Sequence, residues 1–547
     1  MPKVEVKLWD VERIAETPLS LEELGKILEM LKGDLEEVRG DTIVYEASHD
    51  RPDMFSAEGL GRAVGVYKGS RKPVKYVIED STTYLDVSKA PEYRPYAYLA
   101  IVENLELDEE AVRQIFQLQE KLHATYCGDR ELVSVGLYDL DKVKPPIRYV
   151  EVENASYRPL GYDSIMSLDE ILRKTEKGLK YAHLVRHRRY PLLVDSEGQV
   201  LSFPPILNAE DNKVTEETRR VVIDVTGTEP HLMMKVLNIV TTSVSERSRN
   251  PVIKKVSIKG ASLFPYSPVL EESLVEVKRD YVTSLLGIDP IQVKGPHLLE
   301  SMGYEIQNLS SESIVVRVPP YRIDVLSYVD VIEDLAISYG YNEFSSVITP
   351  PPHFGGVNSL ERFAEYLREV MLGLGLQEVL NFMLTDPDIL SLVSDEDFVR
   401  VKNPKMKTYS AVRNSLIPAI LTSVKTNSSK RRKLEIFEVG DVVRLSEGGQ
   451  PTYTKKLAYG LAGDGYTLTD GLVVLKSLMK TLGINYELRR TSRKALISGR
   501  TAEVFVKGES VGIVGEVSPE ILISLNILVP ITVAEVDLVK LFSALPS

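Results

Sequence analysis

Three consecutive prolines, Pro350-Pro351-Pro352, constrain this chain more than any other short stretch. Proline fixes φ, lacks a backbone N–H, and pushes the preceding residue away from helical angles. Neither a helix nor a central strand runs through such a run, which reads as a stiff linker. It divides the 547 residues into a long N-terminal part and a final region of nearly 200 residues. The length suffices for roughly three to five domains.

Periodicity fills in both parts. Ser20 and Glu23 have capping-box spacing, and Leu21, Leu24, Ile27, Leu28 and Leu31 follow on one helical face. Gly33 and Asp34 end that helix, and 42–46 reads as a short strand. Asp50-Arg51-Pro52-Asp53-Met54-Phe55-Ser56 is a loop leading into a helix around 58–66. Residues 96–102 and 221–225 are rich in β-branched and aromatic side chains and predict strands. Residues 109–122 and 229–245 predict helices. The stretch 201–217, with Pro204-Pro205 and a polar run, predicts a loop that lines something. Helices are expected at 279–286, 296–302 and 328–339, and a strand at 313–318. Beyond the prolines, helices at 360–373 and 415–426 alternate with strands at 434–439, 501–506 and 510–514. The fold class is α+β over several domains, with no tandem repeat.

Composition narrows the function classes. Hydrophobic residues are 43% and charged residues 27%, the balance of a soluble globular protein. No signal pattern and no bilayer-length apolar run appear, so a cytoplasmic protein without a membrane partner is expected. The net charge of −13 argues against a surface that grips nucleic acid throughout. Any RNA contact must be local or carried by a partner. The basic stretches Arg186-His187-Arg188-Arg189, near His183, and Lys430-Arg431-Arg432-Lys433 are the local candidates. Cys127 is the only cysteine, which excludes intrachain disulfides and cysteine-rich zinc sites.

The clearest chemical signal is acidic. Asp330, Glu333 and Asp334 stand at i, i+3 and i+4, on one helical face, and Asp324 lies in the turn just before. Like charges at this spacing repel, and a bound cation would reverse that interaction. Oxygen ligands without nearby Cys or His favour Mg²⁺ or Ca²⁺ over zinc. An acidic first turn favoured by the helix dipole, or a solvated acidic face, accounts for the same residues without metal.

The stretch Val318-Pro319-Pro320-Tyr321-Arg322-Ile323-Asp324, continuing through Asp330, Glu333 and Asp334 to Tyr339-Gly340-Tyr341, closely resembles a signature of phenylalanyl-tRNA synthetase β subunits. Further blocks lie in the family's order. They are Arg51 to Leu60, Leu207 to Thr218 with Asp224-Val225-Thr226-Gly227-Thr228, Arg413 to Pro418, and Phe437-Glu438-Val439-Gly440. The length resembles the archaeal and eukaryotic-cytosolic branch.

The resemblance implies four domains: an N-terminal B1-like domain at 1–88, a B3/B4 tRNA-editing-like domain at 89–270, a helix-turn-helix-like B5 domain at 271–348, and a degenerate class II synthetase-like core with an antiparallel sheet at 353–547. It implies Mg²⁺ on Asp324, Asp330, Glu333 and Asp334, in a structural or interface role. It implies an α subunit as partner in an (αβ)₂ tetramer, with phenylalanine and ATP bound by α and the phenylalanine tRNA shared. This core lacks the marks of an activation site. Lys433-Leu434-Glu435-Ile436-Phe437-Glu438 has no Arg-x-Glu to hold the ATP α-phosphate, and Gly512 to Glu516 lacks a closing arginine. The editing domain implies hydrolysis of tyrosine mistakenly attached to phenylalanine tRNA, needed because an apolar pocket rejects an added hydroxyl only weakly. Its residues here would be Gln119, Arg130, Ser202, Asn208, Glu210, Asp224 and Thr226. A free-standing hydrolase of mischarged tRNA and a non-enzymatic nucleic-acid-binding scaffold are the competing readings.

Overall fold

The computed structural model describes residues 2–350, 354–446 and 448–545. Pro351 and Pro352 of the expected linker therefore lie outside the described residues. The chain divides into two units, 1–347 and 348–547.

Among the described residues, the first unit holds three sheets of three or more strands and one short two-stranded pair, Ser156–Tyr157 with Met166–Ser167. In the N-terminal sheet, Thr42–Ala47 lies between Lys3–Lys7 and Gly33–Arg39, all antiparallel. The helix Leu21–Met30 is capped by the Ser20 hydroxyl, which accepts the Glu23 N–H at 3.2 Å, and it buries Leu24, Ile27 and Leu28. Gly33 and Asp34 do more than end it: they open a strand. That strand is mostly exposed on both faces and carries no hydrophobic alternation to announce it.

The second sheet has ten strands. From one edge its order is Leu207–Asn208, Val200–Phe203, Tyr190–Val194, Ile147–Val152, Ile78–Lys89, Val252–Lys259, Tyr96–Glu103, Arg220–Gly227 and Val133–Asp139, with Tyr266–Ser267 attached to Val252–Lys259. Ile78–Lys89 runs parallel to both of its main neighbours. This strand spans the expected boundary at 88/89, and the sheet takes in the chain from residue 78. Tyr98, Ala100, Val102, Val221, Ile223 and Val225 share a core with the helices Glu109–Ala124 and Pro230–Ser245. Leu99, Ile101 and Val222 alternate onto the other face. Asp224 falls on that second face.

The third sheet places Ser313–Val318 between Ser273–Lys278 and Glu305–Leu309. The helices Arg279–Leu286 and Tyr328–Tyr339 keep the bounds the sequence predicts. One hydrophobic cluster joins the first unit from Leu24 through Leu118 and Val240 to Leu335.

The second unit is built on seven strands in the order Gln377–Glu378, Lys433–Leu445, Pro451–Gly463, Ile531–Asp537, Glu509–Val517, Leu496–Val506 and Glu487–Arg490. All pairs are antiparallel except the first. Ser359–Gly373 and Leu468–Thr481 cover one face and Ile417–Asn427 the other. The motif residues Arg413 and Glu438 meet inside as a buried ion pair of 2.6 Å. Among the described residues, no helix is long and apolar enough to cross a membrane.

Candidate functional site

A cavity of about 290 Å³ opens between the helix Glu109–Ala124, the edge strand Val133–Asp139 and the loop after Val200–Phe203. Phe116, Leu160, Phe203, Pro204 and Leu207 give it apolar walls. Gln119, Arg130, Ser202, Asn208 and Asp224 bring polar groups to the same lining. These are five of the seven residues expected from sequence, and the expected loop 201–217 supplies part of the wall.

Each polar group has a fixed orientation. The Gln119 amide donates from Nε2 to the Val135 carbonyl at 2.7 Å. Only the NH₂ end can donate to a carbonyl, so Oε1 is left as an acceptor. The Val135 N–H in turn donates to His123 Nε2 at 2.9 Å. Burial lowers the His123 pKa to about 4, and the neutral ring keeps that nitrogen free to accept. Arg130 donates to the carbonyls of Pro205 and Ile206, both at 3.0 Å, and to Glu120 at 2.9 Å. It thereby ties the cavity loop to the helix. Glu120 also pairs with Lys177 at 2.9 Å.

Asp224 is 1% exposed. One of its oxygens accepts from the Tyr138 hydroxyl, which lies 2.8 Å from Ser202 Oγ. Burial pushes its carboxyl up to about 7, only partly countered by the Tyr138 hydrogen bond and by Arg94. A buried acid that titrates near neutrality and lines a cavity is suited to proton transfer.

Two expected residues stand elsewhere. Thr226 does not line the cavity; its hydroxyl lies behind, 2.9 Å from Ser134 Oγ and 3.3 Å from Arg94 Nε. Ser134 occupies the lining instead. Glu210 accepts the Gly161 N–H at 2.9 Å and pairs with Lys213, so it clamps the loop from outside. Tyr138, Ser134, Gly136 and Glu120 were not singled out by sequence. All seven residues of Val133–Asp139 are buried, so no polar alternation marks the ones that face the cavity.

Three of the four carboxylates of the acidic motif, Asp324, Glu333 and Asp334, are paired with cations of the chain itself. Asp330 accepts the N–H groups of Leu326 at 2.8 Å and Ser327 at 2.7 Å and closes a capping box. Asp324 and Asp334 both bind Arg322, at 2.8 Å in the first case, and Tyr304 donates to Asp334 at 2.7 Å. Glu333 pairs with Lys32 at 3.0 Å, and Lys32 also lies 3.4 Å from Asp334. Burial would raise the Asp334 pKa, but Arg322, Lys32 and Arg51 more than offset it and hold it below the ordinary range. Among the described residues, no three Asp, Glu, His or Cys side chains converge as a metal centre. As placed, the four carboxylates do not form one Mg²⁺ site, because Asp330 is engaged by its helix N-terminus and the other three are paired with Arg322 and Lys32.

The N-terminal motif completes this junction. Arg51 and Asp53 are buried and paired at 2.9 Å, and the Arg62 guanidinium stacks 3.8 Å from the Tyr321 ring. Gly59 lets its helix sit against the Pro52–Met54 turn, since a Cβ there would come 1.6 Å from the Asp53 carbonyl oxygen. Cys127 is buried, and its thiol is pushed up to about 12 by burial, which leaves it unreactive. In the basic stretch, His187 Nδ1 lies 2.9 Å from the Tyr190 hydroxyl.

Comparisons with known proteins agree across the chain. A sequence profile of the phenylalanyl tRNA synthetase beta chain CLM domain matches residues 345–538, and one of the tRNA synthetase B5 domain matches residues 275–341. A phenylalanine–tRNA ligase beta subunit of Thermofilum pendens is 39% identical over 98% of this chain and 97% of its own length. That of Pyrococcus furiosus is 38% identical over 99% of this chain and 100% of its own. A crystal structure of an N-terminal fragment of the phenylalanyl-tRNA synthetase beta subunit from Pyrococcus horikoshii superposes with a TM-score of 0.58 at 36% identity, covering 62% of this chain and all of the fragment.

Proposed function

The chain belongs to the family of phenylalanine–tRNA ligase beta subunits, and from that premise we propose that it works with an alpha subunit in charging phenylalanine tRNA while its own cavity hydrolyses mischarged tyrosyl-tRNA. The alpha subunit activates phenylalanine with ATP in an (αβ)₂ assembly in the cytoplasm. The second unit of this chain is its non-catalytic, class II-like counterpart.

The observation that carries the editing reading is the set of oriented acceptors in one apolar-walled cavity. Gln119 Oε1 is fixed by the Val135 carbonyl, and Asp224 titrates near neutrality. An apolar pocket with a few fixed polar groups selects a ligand that is mostly hydrocarbon with polar ends, as a tyrosyl ester is. Ionised Asp224 takes a proton from the attacking water as the water oxygen bonds to the ester carbonyl carbon. The ester C–O bond then breaks, the proton passes to the departing ribose oxygen, and acid and tRNA leave. Mg²⁺ supplies no step here, in keeping with the pairing of the acidic motif by Arg322 and Lys32.

The test is deacylation of tyrosyl-tRNA(Phe) by the assembled enzyme, comparing wild type with Asp224→Ala. A loss of about 10²-fold or more, within the range for removing a general base, is expected while phenylalanine charging persists. Equal hydrolysis by both proteins would remove the cavity from the reaction.

A further inference from the structure

Asp224 has two oxygens, and the chain treats them differently. Oδ1 takes the Tyr138 hydroxyl. Among the described residues, no side chain or backbone group donates to Oδ2, and the residue lines the cavity. Tyr138 is itself 1% exposed, and its oxygen lies 2.8 Å from Ser202 Oγ. A phenol has one proton to give. When the ionised carboxylate takes that proton, the Ser202 hydroxyl is free to turn its own proton toward the phenol oxygen. The three groups form an ordered line from Ser202 through Tyr138 to Asp224.

The line needs room that only glycine leaves. Gly136 pairs directly with Asp224 across the two strands. A Cβ at Gly136 would stand 2.1 Å from Asp224 Oδ1 and 2.5 Å from the Tyr138 hydroxyl oxygen. Both contacts are shorter than any side-chain carbon tolerates. Three strands therefore contribute: Val133–Asp139 gives Gly136 and Tyr138, Val200–Phe203 gives Ser202, and Arg220–Gly227 gives the carboxyl.

We infer that Tyr138 is the positioning residue of the cavity's carboxyl: its hydroxyl, oriented by Ser202 and admitted by the missing Cβ of Gly136, fixes Asp224 Oδ1 so that Oδ2 alone meets the bound aminoacyl ester. This rests on the deacylation reading above and adds to it the residue that sets when the base is charged. The groups that act on Asp224 are Tyr138, Ser202, Tyr149 and Arg94, with Arg130 and Glu120 on the cavity lining. Among these, Tyr138 supplies the hydrogen bond that favours the charged carboxyl, and Arg94 a weaker charge effect in the same direction.

Removing that hydroxyl moves the carboxyl's titration further up. The measurement is kcat and KM for tyrosyl-tRNA(Phe) deacylation from pH 5 to 9, with the assembled enzyme, for wild type and Tyr138→Phe. Wild type is expected to rise along an acid limb near neutrality. In Y138F the limb shifts up by about one pH unit, the scale of one hydrogen bond to a charged group. At pH 7 kcat falls about fivefold, recovers toward wild type by pH 9, and KM changes less than about threefold, as follows from that shift. Recovery at high pH is what a merely structural loss would not give. An unmoved limb, or an equal depression at every pH, would overturn the inference and leave the deacylation reading standing. Should Y138F fail to assemble, Ser202→Ala serves: losing the donor that orients the phenol shifts the limb in the same direction by less, and no shift overturns the inference. Wild type without any deacylation would remove both.

Discussion

Asp334 and Asp224 are withdrawn from solvent to the same degree, at 0% and 1% exposure, but their surroundings are opposite. Asp334 sits among cations, between Arg322 and Lys32, with Tyr304 donating as well. Asp224 has a phenol as its direct partner. Burial raises the pKa of both; the cations reverse this for Asp334 and nothing comparable does so for Asp224. A carboxylate whose charge is matched holds structure together, and one whose charge is left unmatched is available for chemistry at a cost in stability.

The strongest way to break this comparison is to remove the match. Arg322→Ala leaves Asp324 without its cation and Asp334 with Lys32 alone as its ion-pair partner, and is expected to cost about 3–5 kcal/mol, read as a large drop in the melting temperature of the first unit. The folded Asp334 pKa is lowered, so its contribution is complete above the unfolded value near 4. It is lost as pH falls through the lower folded value. The R322A deficit should therefore shrink in acid, and a deficit that grows in acid would break the assignment.

Next in size, Asp224→Asn should act in the opposite sense. The folded carboxyl titrates near 7, so between about pH 4 and 7 the folded state binds more protons than the unfolded one. Wild-type stability then falls as pH rises through that window. D224N escapes this, and should gain stability with an upper limit of about 4 kcal/mol at pH 8, and less at pH 5, while deacylation is lost. Chemical denaturation at the two pH values decides it; a destabilised D224N at pH 8 would mean that the charge is better compensated than its neighbours indicate.

A smaller effect sharpens the other side. Lys32→Ala frees Asp50, Glu333 and one side of Asp334, and is expected to cost about 1–2 kcal/mol. In wild type, EDTA or added Mg²⁺ should leave the melting temperature unchanged, because Lys32 already neutralises Glu333 and Asp334. In K32A, added Mg²⁺ should recover part of the loss. A Mg²⁺-dependent wild type would show that the four carboxylates open to a metal after all. The smallest expected change is in Glu210→Ala: with its carboxylate on Gly161 and Lys213 outside the cavity, deacylation should stay within about threefold of wild type, well under the loss for a general base.

The same pair of regions shows what a sequence discloses. Tyr328–Tyr339 is legible to the residue, because its periodicity and its cap, Ser327 with Asp330, are local. The role of Asp330 is not, because one spacing serves both a capping box and a metal ligand, and of the cations that pair with its neighbours Arg322 is within the motif while Lys32 comes from far along the chain. Five cavity residues can be placed through the resemblance, but Tyr138 sits in a strand buried on both faces, where a polar tip looks like any aromatic in a core. The start of the large sheet at residue 78 is hidden for a related reason: Ile78–Lys89 finds both main partners far along the chain, at Ile147–Val152 and Val252–Lys259. The motifs at Arg413 and Glu438 become intelligible only as two halves of a buried ion pair, and the helix that follows Arg51 meets the Tyr321 motif through the Arg62 guanidinium stacked on the Tyr321 ring.

The two hydrogen bonds between the helix Glu109–Ala124 and Val135 carry a further consequence. Val133–Asp139 is the last strand of its sheet, and an unpaired strand edge is a template on which a foreign strand can add. Gln119 and His123 occupy the outward carbonyl and amide of Val135, so the rim beside the cavity is sealed by side chains rather than by another strand. Gln119 guards against self-association with the same amide that it presents to a ligand. A variant that retunes its recognition would also unseal the rim, which gives the chain a reason to keep glutamine there that has nothing to do with tyrosine.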